Sequence, residues 1–282
     1  MDVGLGLPIG DPPSLLDWAR RADAGPFSTV GLLDRVVYDN PEPLVTLAAI
    51  IGATTRIRVQ TEVLLAPLRE PVLLAKQAAT LDRISGGRLT LGIGLGAWED
   101  DYCAIGADFH RRGRRLDEQM PILRSIWAGE AARPGLGFVG PAPTRRGGPQ
   151  VLFGGFTAAA LARIARWGDG FLCATPPAHA DGLLRTVEKE WDQAGRAGRP
   201  RMVGQVNAAL GPDTVLEEGR AAIAHYYGSS QYARQVLEAW LTTPQQIRGA
   251  IAGFADLGAD ETIVYCWSPD PDQVDRLADI VN

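Results

Sequence analysis

The sequence is poor in the residues that most often carry chemistry of their own. Of its 28 basic residues only Lys76 and Lys189 are lysine. Both fall inside helical patterns, which disfavours a Schiff-base lysine at a strand end. The three cysteines, Cys103, Cys173 and Cys266, are far apart and form no CxxC pair, so they read as free thiols in a reducing compartment. His110, His179 and His225 are equally scattered, with no HExxH or His-x-His arrangement, and no metal site is expected. No apolar run reaches 18 residues, and the opening MDVGLGLPIG lacks the basic region and long apolar stretch of a signal peptide. A cytoplasmic protein without membrane contact is expected. The net charge of −5 leaves no basic stripe to neutralise phosphates, which argues against nucleic acid as a partner.

What is present is a regular alternation. Short β-rich runs at 3–7, 29–33, 57–65, 89–93, 151–153, 170–174, 202–208 and 262–266 are separated by helical patterns at 14–22, 43–53, 71–84, 116–127, 158–167 and 180–194. Three more helical runs, at 215–227, 231–241 and 243–257, precede the eighth strand, and one at 271–280 closes the chain. Ser14 suits the N-cap of the first helix, and Thr243-Pro244-Gln245-Gln246 reads as a capping box with proline at the first helical position. Eight alternations in 282 residues predict an α/β fold, a single (β/α)8 TIM barrel over residues 1–282. It carries a Pro/Gly-rich insertion at 129–149, after the fourth helix, and extra helices between strands seven and eight.

In such a barrel the site lies at the C-terminal ends of the strands. Those ends offer Asp34-Arg35, Thr61-Glu62, Gly94-Leu95-Gly96, Gly154-Gly155, Thr175, Asn207 and Trp267. The stretch VLFGGFTAAALARIARWGDGF at 151–171 is a strand, a glycine turn and a helix start, with Thr157 placed to cap the helix. Unpaired N–H groups at a helix start favour an anion, so the turn is either a phosphate grip or an ordinary βα loop. Asp34 with Arg35 is a substrate or cofactor contact, or an ion pair tying down a loop. Glu62, in an otherwise apolar strand, must reach a cavity or pair. Trp98, Tyr102, Tyr226, Tyr227 and Trp267 are candidate walls of a flat substrate pocket, or packing. The cluster Arg111, Arg112, Arg114 and Arg115 meets an anionic tail or simply leads a solvated helix.

Two blocks carry a resemblance. KQAATLDRISGGRLTLGIGLG at 76–96 followed by FHRRGRRLDE at 109–118, and FGG through WGDGF at 153–171, are similar to the bacterial luciferase-like family of flavin- and deazaflavin-dependent oxidoreductases. The resemblance implies that Gly154, Gly155, Phe156 and Thr157 hold a cofactor phosphate. It also implies that Thr61-Glu62-Val63 forms a bulge with a non-proline cis peptide at Glu62–Val63 behind the cofactor ring, and that Asp34, Gly94 and Gly96 line the same pocket. Several deazaflavin-dependent members place a histidine at the end of strand two and a glutamate after the strand-four glycines. Here those positions hold Asp34-Arg35 and Ala97-Trp98, so the proton donor stays open among Asp34, Glu62, Glu99 and Tyr226.

The activity implied is hydride transfer from reduced coenzyme F420 to a small organic substrate, with reduction of a C=N or C=C bond favoured. The lysine-poor, arginine-rich composition reads as GC-rich coding, an associational pointer to F420. The alternatives are an FMN-dependent monooxygenase fed by a separate flavin reductase, and a flavin-binding homologue without turnover. A homodimer is expected. Substrate choice is expected to lie with the fourth loop, the 129–149 passage and the helices before strand eight.

Overall fold

The computed structural model describes residues 1–228 and 231–281. Nine parallel strands make one sheet: β1 (Asp2–Gly6), β2 (Thr29–Leu32), β3 (Arg58–Thr61), β4 (Leu64–Leu65), β5 (Leu89–Gly94), β6 (Gln150–Gly154), β7 (Gly170–Cys173), β8 (Arg201–Ala208) and β9 (Glu261–Cys266). Their order is β3-β2-β1-β9-β8-β7-β6-β5-β4, and β3 also pairs with β5, which closes the sheet into a barrel. The run at 57–65, read as one strand, is two. β3 pairs low on β5 (Val59 with Leu89) and β4 pairs high (Leu64 with Ile93). Between them Glu62 and Val63 leave the ladder, joined by the cis peptide that the resemblance implied. The barrel therefore has eight staves, one of them broken at its upper end.

Around it run α1 (Pro12–Ala24), α2 (Pro43–Ala53), α3 (Pro71–Ile84), α4 (Glu99–Ile105), α5 (Arg112–Trp127), α6 (Ala158–Trp167), α7 (Pro177–Gln193), α8 (Asp213–Tyr227), α9 (Gln231–Glu238), α10 (Pro244–Asp256) and α11 (Gln273–Val281). Several begin the same way, with a side-chain acceptor followed by proline. Glu42 accepts from the Val45 N–H at 2.7 Å and Glu70 from the Leu73 N–H at 2.7 Å. Thr243 and Gln246 form the capping box read from the sequence. α1 is capped by Asp11, whose carboxylate accepts from the Ser14 N–H, and not by Ser14 itself. The fourth connection holds a helix, α4, that the sequence pattern does not show, and α5 starts at Arg112 rather than at 116. The arginine cluster is thus mostly a helix start. Positive side chains oppose the helix dipole there, and they are held by the Arg114–Glu118 pair at 2.8 Å and by Arg112 lying 3.6 Å over the Phe109 ring. The segment 129–149 holds only an isolated bridge between Ala131 and Phe138. It joins the end of α5 to the start of β6 and so lies on the N-terminal face. That position removes it from substrate choice, because the mouth is at the other end of the barrel. No described helix is long and apolar enough to cross a membrane.

The lumen is filled unevenly. Leu152, Leu172, Val203 and Ile263 pack together on one side. On the other side, glycines leave room for neighbours. A Cβ on Gly4 would lie 2.3 Å from Ile263, one on Gly6 2.2 Å from the Tyr265 ring, and one on Gly31 2.7 Å from the Glu62 side chain. Gly92 is the tightest against backbone, since its Cβ would stand 2.0 Å from the Thr61 carbonyl oxygen. Gly92→Ala should therefore destabilise the fold by about 1–3 kcal/mol or more through overpacking. Gly52→Ala, at an open helical position, should be neutral or stabilising by roughly 0.5–1 kcal/mol. Urea denaturation of both variants checks this, and equal midpoints would show that the lumen yields where the contacts say it cannot.

Candidate active site

The floor of the mouth is built around Val63. A Cβ on Gly94 would fall 2.2 Å from a Val63 methyl and one on Gly154 3.2 Å from the other, so these glycines admit the valine. Gly96, at φ +73°, is backed in the same way by Leu65. Val63 in turn rests on the lumen cluster of Leu152, Leu172, Val203 and Ile263. The result is a low apolar platform where the sequence analysis placed the cofactor ring. Thr61, also assigned to it, is fully buried and donates its hydroxyl proton to the Gly92 carbonyl at 2.7 Å. Its side chain ties β3 to β5 from within.

At the edge of this platform β6 runs through Gly154 and Gly155 into α6. Gly155 sits at φ +143°, and a Cβ there would meet Ala160 at 2.7 Å, so only glycine fits the turn. Thr157 is the N-cap, its hydroxyl accepting from the Ala160 N–H at 3.3 Å. The N–H groups of Ala158 and Ala159 precede any intrahelical acceptor, and Phe156, Thr157, Ala158 and Ala159 are all exposed. A cofactor phosphate fits such a turn by backbone donors and helix dipole, without a cationic side chain. The nearby Arg163 is already engaged, bidentate on Asp117 at 2.8 and 3.0 Å.

The charges at the end of β2 go to shape. Asp34 accepts from the Leu65 N–H at 2.9 Å and pairs with Arg69 at 3.1 Å, bracing the broken stave. Burial raises its carboxyl to about 6 against the pull of Arg69. Arg35 donates to the fully buried Asp101 at 2.6 Å, and Asp101 also accepts from the Val36 and Val37 N–H groups at 2.9 and 2.7 Å. Each residue is therefore in a loop-anchoring ion pair, Asp34 with Arg69 and Arg35 with Asp101, and not with the other. Asp101 is the partner that the sequence reading passed over, although it lies in the acidic run beside Trp98. Glu99 is exposed at the first turn of α4. Tyr102 is fully buried, packs with Leu65 and Leu68, and donates its hydroxyl to the Leu95 carbonyl, so it does not wall the mouth.

The remaining aromatics do converge. Tyr226 packs edge-on against Trp98 at 5.0 Å and Tyr227 at 4.7 Å, and lies 5.2 Å from Trp267. Arg35 stands 4.1 Å over the Trp98 ring. This wall borders a cleft of 810 Å³ over the ends of β7 and β8, lined among others by Phe156, Thr175, Gln205, Asn207, Tyr227 and Tyr232. Burial holds the Tyr226 phenol above its usual range, so at neutral pH it is a proton holder and not a base.

Glu62 is a carboxyl turned into the lumen, against Gly31. Gln60 donates its side-chain amide to Oε1, while Oε2 is wholly buried with no hydrogen-bond partner. Burial is the main cause that pushes its carboxyl from 4.5 up to about 8, with Glu261 adding repulsion. A neutral acid at physiological pH is the consequence. Tyr265, on β9 two residues before Trp267, adds a buried hydroxyl without a hydrogen-bond partner among the described residues. Its phenol is raised well above the usual range by burial first and by Glu62 next. Period-two alternation back from Trp267 would have found Tyr265, as it would have found Gln205 back from Asn207.

The model of a family described as luciferase-like monooxygenase matches residues 2–262. An uncharacterised protein of Mycobacterium tuberculosis is 36% identical over 208 residues, 63% of this chain and 71% of that one. A Pseudomonas putida protein described as an FMNH2-dependent dimethylsulfone monooxygenase is 29% identical over 197 residues, 66% of this chain and 53% of its own. In fold, the chain superposes with a TM-score of 0.84 on an F420-dependent secondary alcohol dehydrogenase, at 16% identity and covering 99% and 98% of the two chains.

The Glu62 environment has a sign that stability can read. The unfolded carboxyl titrates near 4.5 and the folded one near 8. Between these limits only the unfolded chain gives up the proton, so stability falls as pH rises, by up to roughly 1.4 kcal/mol per pH unit, and levels off above the folded value. Asp34 adds a like-signed fall that is over by about pH 6. Glu62→Gln should thus match the native protein near pH 4 and exceed it increasingly from pH 6 to 8 in denaturant titrations. A constant difference across that range would mean that the carboxyl is ionised in the fold.

Proposed function

The chain belongs to the luciferase-like monooxygenase family, and on that premise we propose that it is an F420-dependent oxidoreductase that reduces a C=N or C=C bond of a small organic substrate. The observation that carries the reading is the glycine turn at Gly155 and the open first turn of α6, set at the edge of the Val63 platform. Together they supply an anion grip and an apolar bed of the kind a phosphate-bearing, flat-ringed cofactor needs. Gly154, Gly155, Phe156 and Thr157 hold the phosphate end, and Val63 supports the ring. When bound, the reduced cofactor supplies a hydride.

The chain's own residues do the rest. The Val63 platform and the wall of Tyr226, Tyr227 and Trp267 exclude water and orient the substrate over the ring. Reduction of a double bond needs a proton as well as a hydride, and Glu62 is the carboxyl that burial keeps protonated at neutral pH. Its carboxyl releases that proton to the substrate atom that does not receive the hydride and recovers it from solvent. Tyr226 shapes the wall, and Asp34 braces the loop beneath.

A second reading, an FMN-dependent monooxygenase, is favoured by the Pseudomonas putida relative. A cytoplasmic setting, a homodimer and a separate enzyme that supplies reduced cofactor belong to either reading.

Anaerobic titration with F420 and with FMN, followed by fluorescence, should show saturable F420 binding that Gly155→Val abolishes. With a reducible imine or enone, Glu62→Gln should lower kcat by about 10²-fold or more while KM and cofactor affinity stay within a few-fold. Tight FMN binding with turnover that requires oxygen would overturn the first reading in favour of the second.

A further inference from the structure

The cleft beside the platform carries a polar code that bears on which substrates enter it. Gln205 and Asn207 are two apart on β8, on the face turned to the mouth, and both line the cleft. Their amides are in different states. The indole Nε1–H of Trp267 donates to Asn207 Oδ1 at 2.8 Å. An indole nitrogen can only donate, so the oxygen of Asn207 is fixed toward Trp267 and its Nδ2 group is the end left for the cleft. Among the described residues Nδ2 has no acceptor, and the Gln205 amide has no hydrogen bond at either end. Asn207 thus presents a pre-aimed donor, while Gln205 can turn to donate or accept.

The charge around this pair is as informative. No lysine or arginine is among the described residues that line the cleft, and its titratable acid and imidazole are Glu238 and His179, both exposed at the rim. An anionic ligand seated against Gln205 and Asn207 would leave water and find no lysine or arginine there, with the Glu238 carboxylate on the rim. The other walls are flat and apolar, made by Tyr227, Tyr232 and Pro176. The volume of 810 Å³ is that of a small-molecule site.

From these observations we infer that the cleft selects an uncharged, planar carbonyl compound, an amide, lactam or enone, whose carbonyl oxygen accepts from Asn207 Nδ2 while Gln205 meets the neighbouring donor or second acceptor. Carboxylates and phosphate esters of the same shape are rejected. The inference rests on the proposed function, since the cleft is taken as that enzyme's substrate pocket, and it assigns Asn207 and Gln205 as specificity-determining residues.

Benzamide and benzoate are near-isosteres that differ in charge, so they separate shape from polarity without any turnover. Saturation-transfer NMR and isothermal titration on the full chain should show benzamide binding at least tenfold tighter than benzoate. Asn207→Asp keeps the acceptor for Trp267 but replaces the aimed donor by an acceptor oxygen. It should weaken benzamide at least tenfold while the melting temperature and the tryptophan emission stay near those of the native chain. Gln205→Leu should weaken benzamide by a smaller factor. Benzoate binding as tightly as benzamide, binding of neither, or an Asn207→Asp variant that binds benzamide like the native chain would each overturn the inference. The parallel F420 and FMN titrations keep the two claims apart. Cofactor binding without benzamide selectivity would sink this inference alone, and loss of both would sink the proposed function with it.

Discussion

The volume of the barrel lumen is the constraint on which the rest of the molecule depends. Eight staves enclose a space that side chains must fill without voids. Gly4, Gly6, Gly31 and Gly92 contribute nothing to it beyond backbone. Their absent side chains let Tyr265, Ile263 and Glu62 lie across the lumen, and let the Thr61 carbonyl approach β5 closely. The break in the third stave follows the same geometry. Val63 drops between Gly94 and Gly154 to cap the apolar layer, and Glu62 descends into the space left by Gly31.

That packing sets the electrostatics of the mouth. Charges that remain on the loops are consumed in holding them. Asp101 gathers Arg35 and two backbone N–H groups, and Asp34 gathers Arg69 and the Leu65 N–H. A buried ion pair of this kind adds little net stability, yet breaking it would leave a charge unpaired, so these residues define loop positions. Glu62 differs because its neighbours are an amide and a phenol and no cation is close enough to keep it ionised. A carboxylic acid that burial keeps protonated therefore stands next to Val63 at the break in the stave, and the amides of Gln205 and Asn207 face the cleft, with Glu238 at its rim.

Much of the fold was legible because its signals are local. Proline after an acidic or hydroxyl cap starts α2, α3 and α10 where the sequence pattern placed them, and the glycine turn before α6 lies where its dipeptide stands. The misreadings are also physical. A strand pattern over 57–65 could not reveal that the ladder breaks at Glu62, because apolar residues occur on both sides of the break. The arginine cluster hid the start of α5, since its charges oppose the dipole and only Glu118 and Phe109 make the turn favourable. Tyr102 looked like a pocket wall because a tyrosine in a mouth loop can point either way. Its partner, the Leu95 carbonyl, lies seven residues back along the chain.

By itself the sequence determined the alternation of strands and helices, the caps that bound them, the glycine turn suited to an anion, and the absence of cysteine pairs and clustered histidines. These follow from periodicity and from near-neighbour hydrogen bonds, which a linear pattern records. Only the tertiary structure decided which polar side chains were spent and which were left. Asp34 and Arg35 found partners 31 and 66 residues away, Glu62 found none that could hold its charge, and Trp267 turned the Asn207 amide across 60 residues of chain. Desolvation and hydrogen-bond pairing act through space, and in a closed barrel the groups that meet at the mouth come from strands far apart in the chain.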